Sequence, residues 1–334
     1  MDRVIQQTDY DALSCKISAI SKGYLPCQQQ LEQCSYKGYS EIHMEYLKVL
    51  KGLSRRIYSK INRTVSSSFP VMNYGTYLRA LSIDLSIDDF LRENTGVPVQ
   101  IINLGCGSDL RMIHLLKRNP DLQYIDIDFK DSVKLKKSVL VSSELFKSIL
   151  QLHGQIADSD ANNGVEDELI TARYKLLSCD LKSSDRVLSL LSTHTSKGIP
   201  TLIITECVLC YIPQTEAQAL VEAVISFYDH GKWVSYDPIG GSKSNDRFGS
   251  IMQNNLWESR QLDMPTLMIY NSKETYAQRF ANLVTSTKIK TMWDYYTDNV
   301  SLSEKQRLKG LQFLDEIEEL RLILSHYIIL EATW

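Results

Sequence analysis

Basic residues are not in excess in this 334-residue chain: Lys plus Arg total 37 against 40 Asp plus Glu, a net charge of −3. A protein that neutralises many phosphates carries a positive surplus, so nucleic acid is not the expected partner. The one local basic cluster, Arg55, Arg56, Lys60 and Arg63, recurs at helical spacing and reads as a solvated helix face. No apolar run approaches the ~18–20 residues that a membrane span requires. The N-terminus lacks the unbroken hydrophobic stretch and small-residue cleavage site of a secretory leader. Cysteine is sparse and odd in number, seven in all, which argues against a disulfide framework and fits reduced thiols in the cytoplasm. Cys207 and Cys210 form a CxxC, yet no second pair and no nearby histidine pair completes a zinc site. The pair follows the strand-like run Leu202–Thr205 instead of opening a thioredoxin-like helix, so both thiols read as small buried hydrophobes. The six histidines form no constellation, and no metal is expected.

What the chain does have is enough apolar residue, 43% against 23% charged, to bury a sizeable core. No internal repeat or low-complexity tract interrupts it. Residues 1–97 read mostly helical. Thr8 and Asp9 are cap candidates there, ahead of Leu13, Ile17 and Ile20 at helical spacing. Lys16 falls on the same stripe, where a lysine either snorkels to water or reaches inward to a carboxylate. From residue 98 strands and helices alternate: Val99–Leu104, a helix before Pro120, Leu122–Asp128, Tyr174–Leu177, Pro200–Thr205 and Lys232–Tyr236. That interval indicates a mainly parallel α/β sheet with helices on both faces. A helix over Phe313–Leu324 and a last strand over His326–Glu331 close the pattern. The polar stretch Gly154–Asp167 reads as an insertion near 150–170, and the Gly- and Ser-rich Pro238–Arg247 as a loop held close to something it contacts.

Strand, Gly105-Cys106-Gly107 turn and helix together make a nucleotide-type site, because glycines admit a sharp turn and the helix N-terminus offers free N–H groups. Asp128 follows Gly105 by 23 positions, the distance at which a carboxylate reaches ribose hydroxyls. Leu110 stands where a dinucleotide turn wants its third glycine, and Asp109 would repel a pyrophosphate. S-adenosylmethionine has no phosphates and carries an ammonium and a sulfonium, so the pattern favours it over a dinucleotide. Asp180 and Glu206 also end strands, where an open parallel sheet faces its ligand. Any one of these acids can be a helix cap; three at corresponding positions suit an adenine amino group, a ribose and a methionine ammonium better.

Asn103–Arg111, Tyr124–Asp128 and Glu206–Tyr211 together resemble the leucine carboxyl methyltransferases. The resemblance also takes in Asp11–Lys16, Phe69–Arg79, Ser235–Pro238, Asn245–Gly249 and the Leu311–Leu320 helix. It covers nearly the whole chain, with the poorest agreement expected at 27–65 and 150–170. It implies a Rossmann-like S-adenosylmethionine-dependent methyltransferase fold, with residues 1–97 as a helical cap contributing to the site and 98–334 as the α/β domain. It implies methyl transfer to the C-terminal leucine carboxylate of the protein phosphatase 2A catalytic subunit by a cytoplasmic monomer. Cofactor-binding roles carry over to Lys16, Arg79, Gly105, Asp128, Asp180, Leu181 and Glu206, with Lys16 and Arg79 near the methionine carboxylate. A C-terminal carboxylate, with a pKa near ~3.5, is already ionised and needs no general base. Arg79 and Tyr211 are candidates for positioning it, and Asp237 with Arg247 for ordering the glycine loop. The alternatives are a small-molecule or tRNA-nucleoside methyltransferase, or a non-catalytic phosphatase-binding protein. The tRNA relatives carry a long further repeat domain not expected here, and the near-neutral charge argues against tRNA.

Overall fold

The computed structural model describes residues 2–27, 38–152, 167–241, 245–315 and 317–334. The expected insertion over 154–167 lies outside the described residues, except for Asp167.

Short runs buried almost continuously form the centre of one eight-stranded sheet, in the order β3-β4-β2-β1-β5-β6-β8-β7. Its centre comprises β1 (Val99–Leu104), β2 (Leu122–Asp128), β4 (Tyr174–Ser178), β5 (Thr201–Glu206) and β6 (Gly231–Pro238), all mutually parallel. Two-residue β3 (Leu169–Ile170) pairs antiparallel with β4 at one edge. At the other edge β8 (Tyr327–Thr333) runs antiparallel to β6, and β7 (Ser286–Thr291) antiparallel to β8. The order reverses between β1 and β5, the switch point at which open α/β sheets bind ligands beyond the carboxyl ends of their strands.

Side chains alternate across this sheet, so neighbouring residues of one strand enter different cores. Ile101, Tyr124, Leu176 and Ile204 pack with the helices of the N-terminal side, whereas Ile102, Leu104, Ile127 and Ile203 face the other way. The second face is covered by α8 (Ser184–His194) through Val187 and Leu191, and by α9 (Gln214–Phe227) through Leu220, Val221 and Val224. Each such side chain contributes about 1.5–3 kcal/mol on burial.

The first face is covered by α1 (Asp2–Ser21), α2 (Tyr39–Leu53), α4 (Pro70–Glu93), α5 (Arg111–Arg118), α6 (Lys130–Ser142) and α7 (Glu144–Leu150). The short α3 (Arg55–Ser66) packs on the outside of α1. Pro70 opens α4 at its first turn, where its missing N–H costs nothing, and Tyr74, Tyr77, Leu81, Ile87 and Phe90 are all buried. The start of α1 differs from the expectation: the helix begins at Asp2, so Thr8 and Asp9 lie inside it. Thr8 Oγ1 donates back to Ile5 O at 2.6 Å, the in-helix alternative to capping, and Asp9 bonds across to the β1 turn.

The remaining helices are α10 (Phe248–Arg260), α11 (Lys273–Ala277), α12 (Met292–Asn299), α13 (Leu302–Lys309) and α14 (Ile317–Leu324). The helix expected from Phe313 is shorter than its periodicity suggests, since Phe313 is exposed and Gln312 is tied to Asn73. Among the described residues, no helix is long and apolar enough to cross a membrane.

Candidate active site

A cavity of about 460 Å³ opens at the carboxyl ends of β1, β2, β4 and β5, within the range of small-molecule sites. Lys16, Arg79, Gly105, Asp128, Asp180, Leu181, Glu206 and Tyr211 all line it. The structure therefore brings together all the residues expected to bind the cofactor or position the carboxylate, from positions as far apart as α1 and the loop after β5.

The turn after β1 needs its glycines. Gly105 has φ +72°, and a Cβ there would stand 2.5 Å from Val208 Cγ2, so a side chain is excluded on both counts. Gly107 has φ +43° and lies under the carboxylate of Asp9. Asp128 holds the turn from below: its Oδ2 accepts from Gly107 N at 2.7 Å and its Oδ1 from Phe129 N at 2.6 Å. Burial raises the Asp128 carboxyl to about 6, against the lowering effect of those two N–H groups. Asp9 holds the turn from above, its Oδ1 accepting from both Ser108 N and Ser108 Oγ at 2.7 Å.

A buried ionic network forms the floor. Glu206, ending β5, accepts from Arg79 Nε at 2.5 Å through Oε1 and from Arg111 Nη1 at 2.6 Å through Oε2. Arg111 opens α5 and also bonds Asp84 on α4 at 2.5 Å and Asp109 at 3.1 Å. Lys16 Nζ lies 3.6 Å from the other oxygen of Asp109, so this lysine reaches inward. Three cations and three carboxylates thus balance in a region where an unpaired charge would be costly. Burial works to raise the Glu206 carboxyl, but Arg111, Arg79 and Lys16 outweigh it and hold the group well below the usual carboxylate range. Among the described residues the terminal nitrogens of Arg79 make no hydrogen bond, and its guanidinium lies 5.3 Å over the Tyr236 ring.

The other end of the cavity is apolar. Tyr211, Met252, Leu256, Leu262 and Met264 line it, backed by Cys210 and Leu267. Tyr211 sits in the 3₁₀ turn Leu209–Tyr211, and burial pushes its phenol well above the ordinary range, so it remains a hydrogen-bond donor. Cys207 lines the same cavity with φ +56°, a left-handed conformation uncommon for a side-chain-bearing residue. Burial lifts its thiol to about 12, which keeps it protonated. Among the described residues, no group of His, Cys, Asp and Glu is placed to hold a metal ion.

Asp237 and Arg247, the candidates for ordering the glycine loop, do not meet. Asp237 is fully buried and accepts from Tyr276 at 2.6 Å, while Arg247 is exposed. Among the described residues after the glycines, Asp246 bonds His326 Nε2 at 2.9 Å and Phe248 N at 3.1 Å.

Three contributors escaped the sequence reading: Asp9, Asp84 and Arg111. Asp9 had a signal, since it precedes Leu13 by four and Lys16 by seven and so shares their helix face. Asp84 and Arg111 are brought together only by the packing of α4 on the sheet.

Comparison with known proteins gives the site its context. The model of the family described as leucine carboxyl methyltransferase matches residues 41–225. Leucine carboxyl methyltransferase 1 of Eremothecium gossypii is 50% identical over 335 residues, covering 100% of both chains. The protein of that name from Kluyveromyces lactis is 49% identical over 337 residues, 100% of this chain and 99% of the other. Among solved structures, a candidate methyltransferase from Thermobifida fusca aligns with TM-score 0.51 at 9% identity, covering 86% of this chain and 92% of that one. A DUF574 family protein from Streptomyces avermitilis also aligns with TM-score 0.51, at 10% identity, covering 86% and 95%. At such identities these structures speak to the fold, a Rossmann-like α/β methyltransferase fold, whereas the full-length relatives and the family match speak to kinship. The chain belongs to the leucine carboxyl methyltransferase family and is an enzyme of that class.

Proposed function

We propose that this enzyme transfers a methyl group from S-adenosyl-L-methionine to the C-terminal leucine carboxylate of the protein phosphatase 2A catalytic subunit, as a cytoplasmic monomer. The observation that carries the reading is a single cavity with a charged end shaped for an amino-acid zwitterion and an apolar end beside it. The donor set fits the cofactor. Asp128 would accept from ribose hydroxyls, Asp180 from the adenine amino group and Glu206 from the methionine ammonium. Arg79 and Lys16 would hold the methionine carboxylate, and Leu181 would pack on the adenine. When bound, S-adenosylmethionine supplies an electrophilic methyl carbon on a sulfonium.

The protein's share of the work is then placement. The incoming carboxylate, with a pKa near ~3.5, is ionised at neutral pH and is its own nucleophile. Arg79 offers terminal N–H groups, and Tyr211 a protonated phenol, to orient the carboxylate. Tyr211, Met252, Leu256 and Met264 exclude water from it and house the leucine side chain. Residues 2–21 supply both Lys16 and Asp9, in keeping with the N-terminal helices serving as a cap over the α/β domain.

The test is transfer of labelled methyl to purified phosphatase catalytic subunit, beside the same subunit lacking its last leucine. Base-labile label on the intact subunit alone is the expected result. Label on both, or label stable to base, would overturn the assignment.

A further inference from the structure

The basic cluster of the sequence gains a meaning from where α3 lies. The inner wall of the cavity carries five carboxylates: Asp9, Asp109, Asp128, Asp180 and Glu206. The opposite charge gathers at its rim. Asp11, a rim residue of α1, is approached by Lys60 Nζ at 3.7 Å and bonded by Arg260 Nη1. Both cations remain accessible, with side chains 40% and 48% exposed. Arg56 precedes Lys60 by four residues and Arg63 follows by three, so the three share one stripe of α3. Arg56 and Arg63 are exposed and make no ion pair among the described residues. Asp11 therefore meets two cations at the mouth of the cavity, and Arg56 and Arg63 extend the positive charge from Lys60 along α3, in a chain that is negative overall.

We propose that Arg56, Lys60, Arg63 and Arg260 form a docking rim for an acidic face of the substrate protein, next to its C-terminal leucine. This deepens the proposed function and rests on it. A substrate that enters carboxylate first approaches a protein of net negative charge, although Lys16, Arg79 and Arg111 balance Asp109 and Glu206 inside the cavity. A compact positive rim offsets the net repulsion and steers the encounter, an effect that acts on association and fades with salt. The rim is short and local, whereas a nucleic-acid surface would continue the positive charge along a track of phosphates, so an acidic protein face fits better.

The experiment uses the full chain carrying R56E with R63E, two exposed positions outside the cavity. Methyl transfer to intact phosphatase catalytic subunit is followed at about 0.01 and 0.15 M salt. KM for the subunit is expected to rise about three- to tenfold at low salt and to converge on wild type at the higher salt. The turnover number, S-adenosylmethionine affinity and melting temperature are expected to stay unchanged. If the double variant melts early, R56Q with R63Q carries the same test at about half the effect. Unchanged KM at both salts, with wild-type transfer intact, would overturn the rim alone. So would unchanged KM accompanied by loss of tRNA binding, which would mark the stripe as a nucleic-acid contact. Absence of transfer by the wild-type protein would remove the proposed function and the rim with it.

Discussion

The two ends of the cavity are built on opposite principles. At the charged end Lys16, Arg79 and Arg111 are matched one for one against Asp84, Asp109 and Glu206, every group held by others from different elements. At the apolar end half-buried Met252 and Leu256 and buried Leu262 and Met264 gather around Tyr211, with no ion pair among them. A rigid, pre-paired network suits a ligand of fixed shape that is bound in every cycle. An apolar chamber suits a side chain carried in by another protein. Damage at the first end should therefore spread through fold and cofactor binding, while damage at the second should stay confined to the substrate.

The largest effect is expected at Arg111. Arg111→Ala leaves the Asp84, Asp109 and Glu206 carboxylates buried without their common partner, and stability should fall by about 3–5 kcal/mol in a denaturant titration. A loss no larger than that of an exposed arginine would deny the network its structural role.

Asp128→Ala should spare more of the fold but weaken S-adenosylmethionine binding about ten- to hundredfold, the worth of hydrogen bonds to a charged acceptor. Calorimetric titration gives the number, and wild-type affinity would remove the ribose role.

The same carboxyl gives a pH dependence. Its pKa stands at about 6 in the free protein. Binding that uses the ionised form must release the proton below that point. Affinity is therefore level above pH 6 and falls by up to about tenfold per unit beneath it. Asp128→Asn should flatten the profile, and a profile already flat in the wild type would contradict the assignment.

The smallest effect belongs to the apolar end. Leu256→Val removes one methylene, about 0.8 kcal/mol, and should raise KM for the phosphatase roughly fourfold with cofactor affinity unchanged.

Much of the charged end was legible in the sequence because its parts are local. Gly105 and Gly107 follow a strand within three residues, Asp128 and Glu206 each end one, and Asp180 lies two residues beyond another. Lys16 stood out as a cation on an apolar stripe. Asp9 was misread because a short acid ahead of a helical stripe is also what a cap looks like, and only the contact with Ser108 separates the two. Arg111 and Asp84 carry no local signature, since their pairing depends on α4 crossing the sheet. The antiparallel extension was half visible for a similar reason. β8 is an apolar run, whereas the edge strand β7 reads Ser-Thr-Lys-Ile-Lys-Thr and buries little. The apolar chamber was the least legible, because Met252, Leu256 and Met264 are ordinary hydrophobes until the 3₁₀ turn brings Tyr211 among them.

The separation of the two ends is tested most directly by equilibrium dialysis of labelled S-adenosylmethionine against the wild-type, Asp128→Ala and Leu256→Val proteins, without any phosphatase present. The account predicts equal, saturable binding by the wild type and Leu256→Val, and strongly weakened binding by Asp128→Ala. Failure of the wild type to bind, or equal weakening of both variants, would contradict it.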